Sequence, residues 1–241
     1  MRARGKQHRR RRIWLLLLGS IVIVGVAGSA GLWRWWVPRY RPALYAGEAY
    51  AIDVSHHQGE IDWSAVADDG IGFAYLKATE GGDHTDTNYA TNAEEAARAG
   101  VTTGAYHFFT FCRSGREQAE HFLDVARPDD SSLPPAIDVE FGGNCAERPA
   151  PAVLRAEIAD FVRLVEEAWG RPVITYVLHD MERRYAIEAN LLRVRWQRHL
   201  FTRPGNEAWG VWQLNGRARV AGVRRPTDLN VIHPGRLDVR A

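Results

Sequence analysis

Apolar positions along the chain fall into two regimes, and each predicts a different kind of element. From Ile13 to Trp33 they are nearly continuous, a charge-free stretch rich in Leu, Ile and Val that matches the ~20 residues a helix needs to cross a hydrocarbon core. From Tyr50 onward they come in short runs, and Tyr50 to Val54, Gly72 to Ala78, Thr103 to Phe109, Pro135 to Glu140 and Val173 to Val177 read as strands. Amphipathic segments lie between them. In the clearest, Pro151 to Trp169, the positions Leu154, Ile158, Phe161, Val165 and Ala168 recur three or four apart before Gly170 and Pro172 stop the helix. Ser114 with Glu117 three residues on forms a capping-box signature, and Gly100 closes an Ala-rich segment over 90–99.

Five strand-helix alternations predict parallel strands joined by right-handed crossovers, hence an α/β sheet or barrel. After Val177 the pattern changes: strand candidates at Val194 to Leu200, Gly210 to Leu214 and Asp228 to Ile232 follow, with no convincing helix between the last two. The expected fold is therefore an irregular TIM-like barrel of five βα units with a three-strand end, preceded by one transmembrane helix. Periodicity by itself also permits an open sheet. The expected division is a basic cytoplasmic segment over 1–12, an anchor or signal sequence over 13–33, a linker over 34–47 and a catalytic domain over 48–241.

Charge sharpens this division. The formal net charge of +2 conceals seven basic residues among the first twelve, while from Glu48 onward 21 basic residues face 29 acidic ones. The Arg-rich flank predicts a cytoplasmic N-terminus, with the rest of the chain exported. Trp33, Trp35 and Trp36 read as an interfacial belt of a retained anchor. The alternative is a cleaved signal peptide, with Ile13 to Val26 as its apolar region and Ala27 to Gly31 as a small-residue site. An acidic domain argues against nucleic acid as a direct ligand, because phosphate binding needs Lys and Arg on the binding face. Cys112 and Cys145 are the two cysteines. In an exported domain, on loops after neighbouring strands, they are expected to form a disulfide worth about 2–4 kcal/mol.

Candidate chemistry gathers where parallel α/β folds place it, at the C-terminal ends of strands. Asp53 ends the first strand, and Asp138 and Glu140 end the fourth. Asp228 opens the last, which puts it at the wrong end unless that strand runs antiparallel or its boundary lies elsewhere. Asp138 and Glu140, two apart on a strand, share a face with Cα atoms about 6.5–7 Å apart. Carboxylates so placed raise one another's pKa, which suits one of them to donate a proton. A salt-bridged or surface Asp-x-Glu is the bland alternative. A metal hydrolase lacks support, since the nine histidines include no His-Glu-x-x-His or His-x-x-x-His pair. A Gly-x-Ser-x-Gly elbow is absent as well.

The motif context decides between these readings. Ala51-Ile52-Asp53-Val54-Ser55-His56-His57-Gln58-Gly59, followed by Ile61-Asp62-Trp63, resembles the opening of glycoside hydrolase family 25 lysozymes. Lys77-Ala78-Thr79-Glu80-Gly81, Gly104-Ala105-Tyr106-His107-Phe108-Phe109, Pro134-Pro135-Ala136-Ile137-Asp138-Val139-Glu140 and Asp228-Leu229-Asn230 are similar to later motifs of that family, in the same order. The resemblance implies a five-βα, three-strand barrel that cleaves the β-1,4 bond between N-acetylmuramic acid and N-acetylglucosamine in peptidoglycan, without metal or other cofactor. It implies Glu140 as general acid, Asp138 as the residue orienting the N-acetyl group or the attacking water, and Asp53 and Asp228 as the rest of the acidic cluster. Tyr106 and Tyr176 fall where the family lines its groove with aromatics. Lys77, Glu80 and Trp212 are further substrate-binding candidates, with a Lys77 to Glu80 salt bridge as the alternative for that pair. The C-terminal third departs from the family: Val194-Arg195-Trp196-Gln197-Arg198-His199 is more polar than its usual sixth strand, and Leu214 stands where it usually has Tyr. The non-enzymatic alternative is a membrane-tethered glycan-binding module that has lost turnover.

Overall fold

The structure is a computed structural model that describes residues 2–128, 132–205 and 209–237. The chain divides after Tyr40 into two compact units. The first is helix α1 (Arg2–Trp36) and a 3-10 turn over Val37–Arg39, where Arg39 donates to the Trp35 carbonyl at 2.9 Å. Among the described residues no helix is long and apolar enough to cross a membrane. In the apolar run of α1, the side chains of Ile13, Leu15 to Leu18 and Ile21 lie outside the described residues.

The second unit begins at Arg41, earlier than the expected boundary at Glu48. Its first residues are fastened down by specific contacts. Arg41 pairs with Asp69 at 2.5 Å, the Tyr50 hydroxyl donates to the Pro42 carbonyl at 2.5 Å, and the Arg203 guanidinium lies over the Tyr45 ring at 3.9 Å. Half of the expected linker therefore belongs to the folded domain.

That domain is a barrel. Its strands are β1 (Ala49–Val54), β2 (Ile71–Glu80), β3 (His84–Thr85), β4 (Thr102–Phe108), β5 (Ala136–Val139), β6 (Ile174–Val177), β7 (Arg195–Arg198), β8 (Trp209–Ala218) and β9 (Thr227–Ile232). They follow the order β1-β9-β8-β7-β6-β5-β4-β2, the β1–β2 pairing closes the ring, and β3 hangs on β2 as a short hairpin. The five expected βα units are present, with α2 (Trp63–Asp68), α3 (Tyr89–Arg98), α4 (Gly115–Val125), α5 (Pro151–Trp169) and the pair α6 (His179–Tyr185) and α7 (Ile187–Leu191) following successive ring strands. Within the ring, neighbours are parallel except around β9, which is antiparallel to both β8 and β1. The connection from Ala218 to Thr227 is too short for a parallel crossover, which needs a dozen or more residues. Short length thus forces β9 to reverse, and the reversal carries Asp228 to the rim where β1 and β5 end.

Alternation along the strands builds two cores. Residues that point outward, such as Phe109, Ile137 and Val139, pack with Phe122, Ile158, Phe161 and Val165 of α4 and α5. Inside the ring Ala51, Tyr75, Ala136 and Ile174 form part of a second cluster. Each stands two residues before Asp53, Lys77, Asp138 and Tyr176 respectively, so an apolar layer lies directly beneath a polar one. His107 points outward and is held by Thr79 at 2.7 Å and Gln118 at 3.1 Å. Burial lowers its pKa to about 3 and keeps the ring neutral, a structural role for the residue next to Tyr106.

Gly115 sets the approach of α4 to α5. Its amide donates to the Glu157 carboxylate at 2.7 Å, and a Cβ there would lie 1.8 Å from the Glu157 carbonyl oxygen. Backbone cannot swing aside as a side chain can. Gly115→Ala is expected to destabilise the domain by about 1–3 kcal/mol or more, measured by thermal unfolding. An unchanged Tm would show that the two helices separate freely.

Candidate active site

Parallel strand ends and the reversed β9 bring Asp53, Lys77, Glu80, Tyr106, Asp138, Glu140, Tyr176 and Asp228 into one open groove of about 370 Å³. Asp53 and Asp228 sit directly opposite each other across β1 and β9. Phe108 and Asp138 are partners across β4 and β5, and Asp138 and Tyr176 across β5 and β6. These pairings turn residues far apart in the chain into one continuous rim.

Loop structure fixes the first segment of that rim. Ser55 caps the turn His56–Gln58 with a reciprocal capping box, which presents His57 and Gln58 to the groove. His56 turns away and is held through its backbone N–H and Nδ1 by Asp86, both at 2.8 Å. Asp62 and Trp63 serve the fold: Asp62 caps α2 by accepting from the Ala65 amide at 3.1 Å, and the buried Trp63 indole donates to Asn92 at 3.2 Å.

The carboxylates share one electrostatic condition, a charge that is costly to keep. Burial, then the Asp228 charge, push the Asp53 carboxyl well above its usual range, against a stabilising hydrogen bond from Asn230 donated at 2.7 Å. Asp138 is pushed well up by burial and by Glu140, while Lys77 opposes the shift. Its Oδ1 is buried without a hydrogen-bond partner among the described residues, an arrangement that favours the neutral acid. Glu140 and Asp228 are also raised, chiefly by burial, and in both the Arg198 charge is the main opposing influence. Carboxyls that hold protons near neutrality can act as acids, and neighbouring ones that release them can stabilise positive charge.

Aromatic rings form the floor. Trp196 meets Tyr75 at 4.9 Å, Tyr176 at 5.5 Å and Tyr106 at 6.4 Å between ring centroids. The Trp196 indole donates to the Asn230 side-chain oxygen at 2.9 Å, which turns the Asn230 amide N–H toward Asp53. The Tyr176 hydroxyl donates to Gln213 at 2.9 Å, and Gln213 in turn hydrogen-bonds Asp228. Burial, followed by the nearby carboxylates, raises both Tyr106 and Tyr176 and keeps them protonated. Lys77 pairs with Glu80 at 2.5 Å and lies 4.9 Å from the Phe108 ring centre, so the salt bridge forms within the groove itself.

Two expectations need correction. Trp212 does not line the groove: it is 1% exposed and its indole donates to the His199 carbonyl at 2.7 Å, because alternation on β8 turns Gln213, not Trp212, inward. Cys112 and Cys145 are both free. The Cys145 thiol donates to Asn144 at 3.5 Å, and a hydrogen bond with Cys145 is the first influence raising the Cys112 pKa. The pair is therefore adjacent but unbridged. Sequence reasoning missed Trp196, Asn230, Gln213, His57 and Gln58, although Asn230, two residues after Asp228, shares its face by strand period alone.

Asn144 is a further residue that the sequence did not single out. Its side chain accepts from the Phe111 amide at 3.0 Å and donates to the carbonyls of Phe109 at 2.8 Å and Glu140 at 3.0 Å. It thereby ties the β4 loop to the backbone of Glu140. Asn144→Ala is expected to lower kcat by loosening Glu140; rates and Tm equal to wild type would show that the loop holds itself.

Comparison with known proteins agrees with this architecture. The uncharacterized protein YegX of Escherichia coli K12 is 33% identical over 204 residues, covering 80% of this chain and 71% of that protein. Lysozyme M1 of Streptomyces globisporus is 32% identical over 193 residues, 74% of this chain and 66% of that one. Among solved structures, a family 25 glycosyl hydrolase from Bacillus anthracis superposes with a TM-score of 0.72 at 30% identity, covering 81% of this chain and 93% of that chain. A bacterial lysozyme from Streptomyces coelicolor gives 0.69 at 30% identity, covering 78% and 94%. The family model for glycosyl hydrolases family 25 matches residues 52–223, a span that runs from the first groove strand to the turn before the last, and the chain belongs to that family.

Proposed function

We infer that this chain is a peptidoglycan hydrolase, an N-acetylmuramidase that cleaves the β-1,4 bond between N-acetylmuramic acid and N-acetylglucosamine. The observation that carries this reading is the cluster of Asp53, Asp138, Glu140 and Asp228 in one open groove of a family 25 glycosyl hydrolase. Glycoside hydrolysis needs a proton for the departing oxygen and negative charge beside the anomeric carbon. Glu140, raised and facing the groove, supplies the proton. Asp138, one strand step deeper, orients the N-acetyl group or the attacking water. Asp53, held by Asn230, and Asp228 complete the field that stabilises the cationic transition state. Tyr106, Tyr176 and the Lys77 to Glu80 pair shape the sugar subsites.

Purified peptidoglycan incubated with the protein should release fragments with new reducing ends. Binding without new reducing ends would support the tethered glycan-binding module instead.

The N-terminal unit is proposed as a membrane anchor that leaves the barrel outside the cytoplasm. Supporting this are the basic cluster over 1–12 and the exposed apolar side chains of Val22, Ile23, Val24, Val26 and Leu32 on α1, a surface that water does not favour. A cleaved signal sequence is the competing form, and it exports the same domain. A reporter fused after Ala241 should mature only outside the cytoplasm. Maturation inside would overturn export.

A further inference from the structure

The groove presents an electrostatic problem that its acids cannot solve. Five carboxylates line it, Glu80 among them, and the domain from Glu48 onward is itself acidic. A glycan whose sugars carry carboxylates would be repelled unless a cation stands at the mouth.

The cations around the groove differ in availability. Lys77 is 8% exposed and already committed to Glu80 at 2.5 Å. Burial, followed by the His56 charge, lowers the His57 pKa and favours the neutral ring. Arg225 is engaged with the His57 carbonyl at 3.1 Å. Arg198 has no direct partner: among the described residues it makes no hydrogen bond or ion pair, it acts on Glu140 and Asp228 through its charge, and it is exposed. Its position follows from strand period. Arg195 points out of the barrel to Glu188 at 3.3 Å and Trp196 points into the groove, so Arg198, two residues on, shares the inward face at the rim. It is paired across β7 and β8 with Gln213, the residue that also holds Tyr176 and Asp228.

We propose that Arg198 reads the anionic part of the substrate, its guanidinium donating two parallel N–H hydrogen bonds to a carboxylate of the bound glycan. This rests on the muramidase reading and deepens it. The carboxylate has two sources in peptidoglycan: the lactyl group of muramic acid where the peptide has been removed, or the attached peptide itself. A guanidinium suits either, because its fork matches carboxylate geometry. The polar residues of β7 then have a role in selecting charged glycan.

The test separates binding from turnover. Full-length Glu140→Gln protein and its Arg198→Gln and Arg198→Lys derivatives are titrated with peptide-free glycan strands, with the same strands after conversion of lactyl carboxylates to amides, and with peptide-bearing strands. In the Glu140→Gln parent, amidation should weaken binding by about 10- to 100-fold if the lactyl group is read, the loss expected for a charged hydrogen bond. A preference for peptide-bearing strands that disappears with Arg198→Gln identifies the peptide as the source. Arg198→Gln should abolish the preference for the carboxylate, and Arg198→Lys should restore part of it. A preference for charged strands that is unchanged in Arg198→Gln, or no preference in the parent for either source, overturns the proposal. Failure of the wild type to release reducing ends overturns the muramidase reading alone, since these affinities are measured without turnover.

Discussion

Glu140→Gln should lower kcat by about 10²- to 10⁴-fold, the usual worth of general acid catalysis, while glycan affinity and Tm change little. The substitution keeps the shape of the side chain and removes only the proton that the leaving oxygen needs. Glu140 makes a suitable donor because burial raises its pKa. A general acid is active only while protonated, so the wild-type rate should fall as pH rises through that raised value. This alkaline limb should be missing from the variant. A substrate with an activated leaving group needs little protonation, and should rescue Glu140→Gln more than Asp138→Asn. Equal rescue of both, or near wild-type turnover by Glu140→Gln on natural peptidoglycan, would place the acid elsewhere.

Much of this site is legible in the sequence because strand alternation is strict. Once Asp53, Lys77, Tyr106, Asp138 and Tyr176 are set near strand ends, period two sends them all to one face, with Ala51, Tyr75, Gly104, Ala136 and Ile174 beneath them. The same rule explains the error at Trp212. Assigning a large aromatic to the groove by residue type ignored its neighbour Gln213, and a one-residue slip exchanges the two faces of a strand. The register irregularity in β8 between Gln213 and Asn215 makes that region harder still to place from pattern. Helix α5 runs from Pro151 to Trp169 as its pattern predicts, and four of the five apolar positions along its nineteen residues are buried, Ala168 being exposed while Trp169 is buried. Helices α2, α6 and α7 have 6, 7 and 5 residues, too few turns for a 3.6-residue period to stand out. The two cysteines were correctly read as neighbours on one rim, but proximity does not determine whether thiols are joined.

The direction of β9 stayed open in the sequence because the expected strands, ending at Leu214 and resuming at Asp228, leave room for a crossover, whereas β8 runs on to Ala218. With too few residues between β8 and β9 for a crossover, the strand had to return antiparallel, and a start on the far rim became the right place for Asp228. Other groove features lie outside pattern reasoning. The relay from Trp196 through Asn230 to Asp53 depends on side chains from β7, β9 and β1 that meet only after the ring closes.

Asp138→Asn should show the converse of an ordinary core mutation: turnover lost and stability gained. Asp138 is raised well above the usual carboxylate range, mainly by burial and then by Glu140, even though Lys77 pulls the other way. Below the unfolded value near 3.9 the carboxyl is neutral in both states and imposes no penalty. As pH rises past that value the unfolded chain ionises while the folded site resists, so the folded state loses stability until the raised folded pKa is passed. Asparagine never ionises and escapes this loss. At pH 7 the variant should therefore melt about 2–4 °C higher for each kcal/mol of penalty removed, and the gain should vanish near pH 3, where wild-type Asp138 is neutral as well. Turnover should fall because the amide cannot take up or release a proton while it orients the N-acetyl group or the attacking water. Thermal unfolding of both proteins across pH, alongside initial rates on peptidoglycan, measures the two effects together. A variant less stable than wild type at pH 7 would mean that ionised Asp138 holds the fold through Lys77, and that the site is arranged around a charge it keeps rather than a proton it retains.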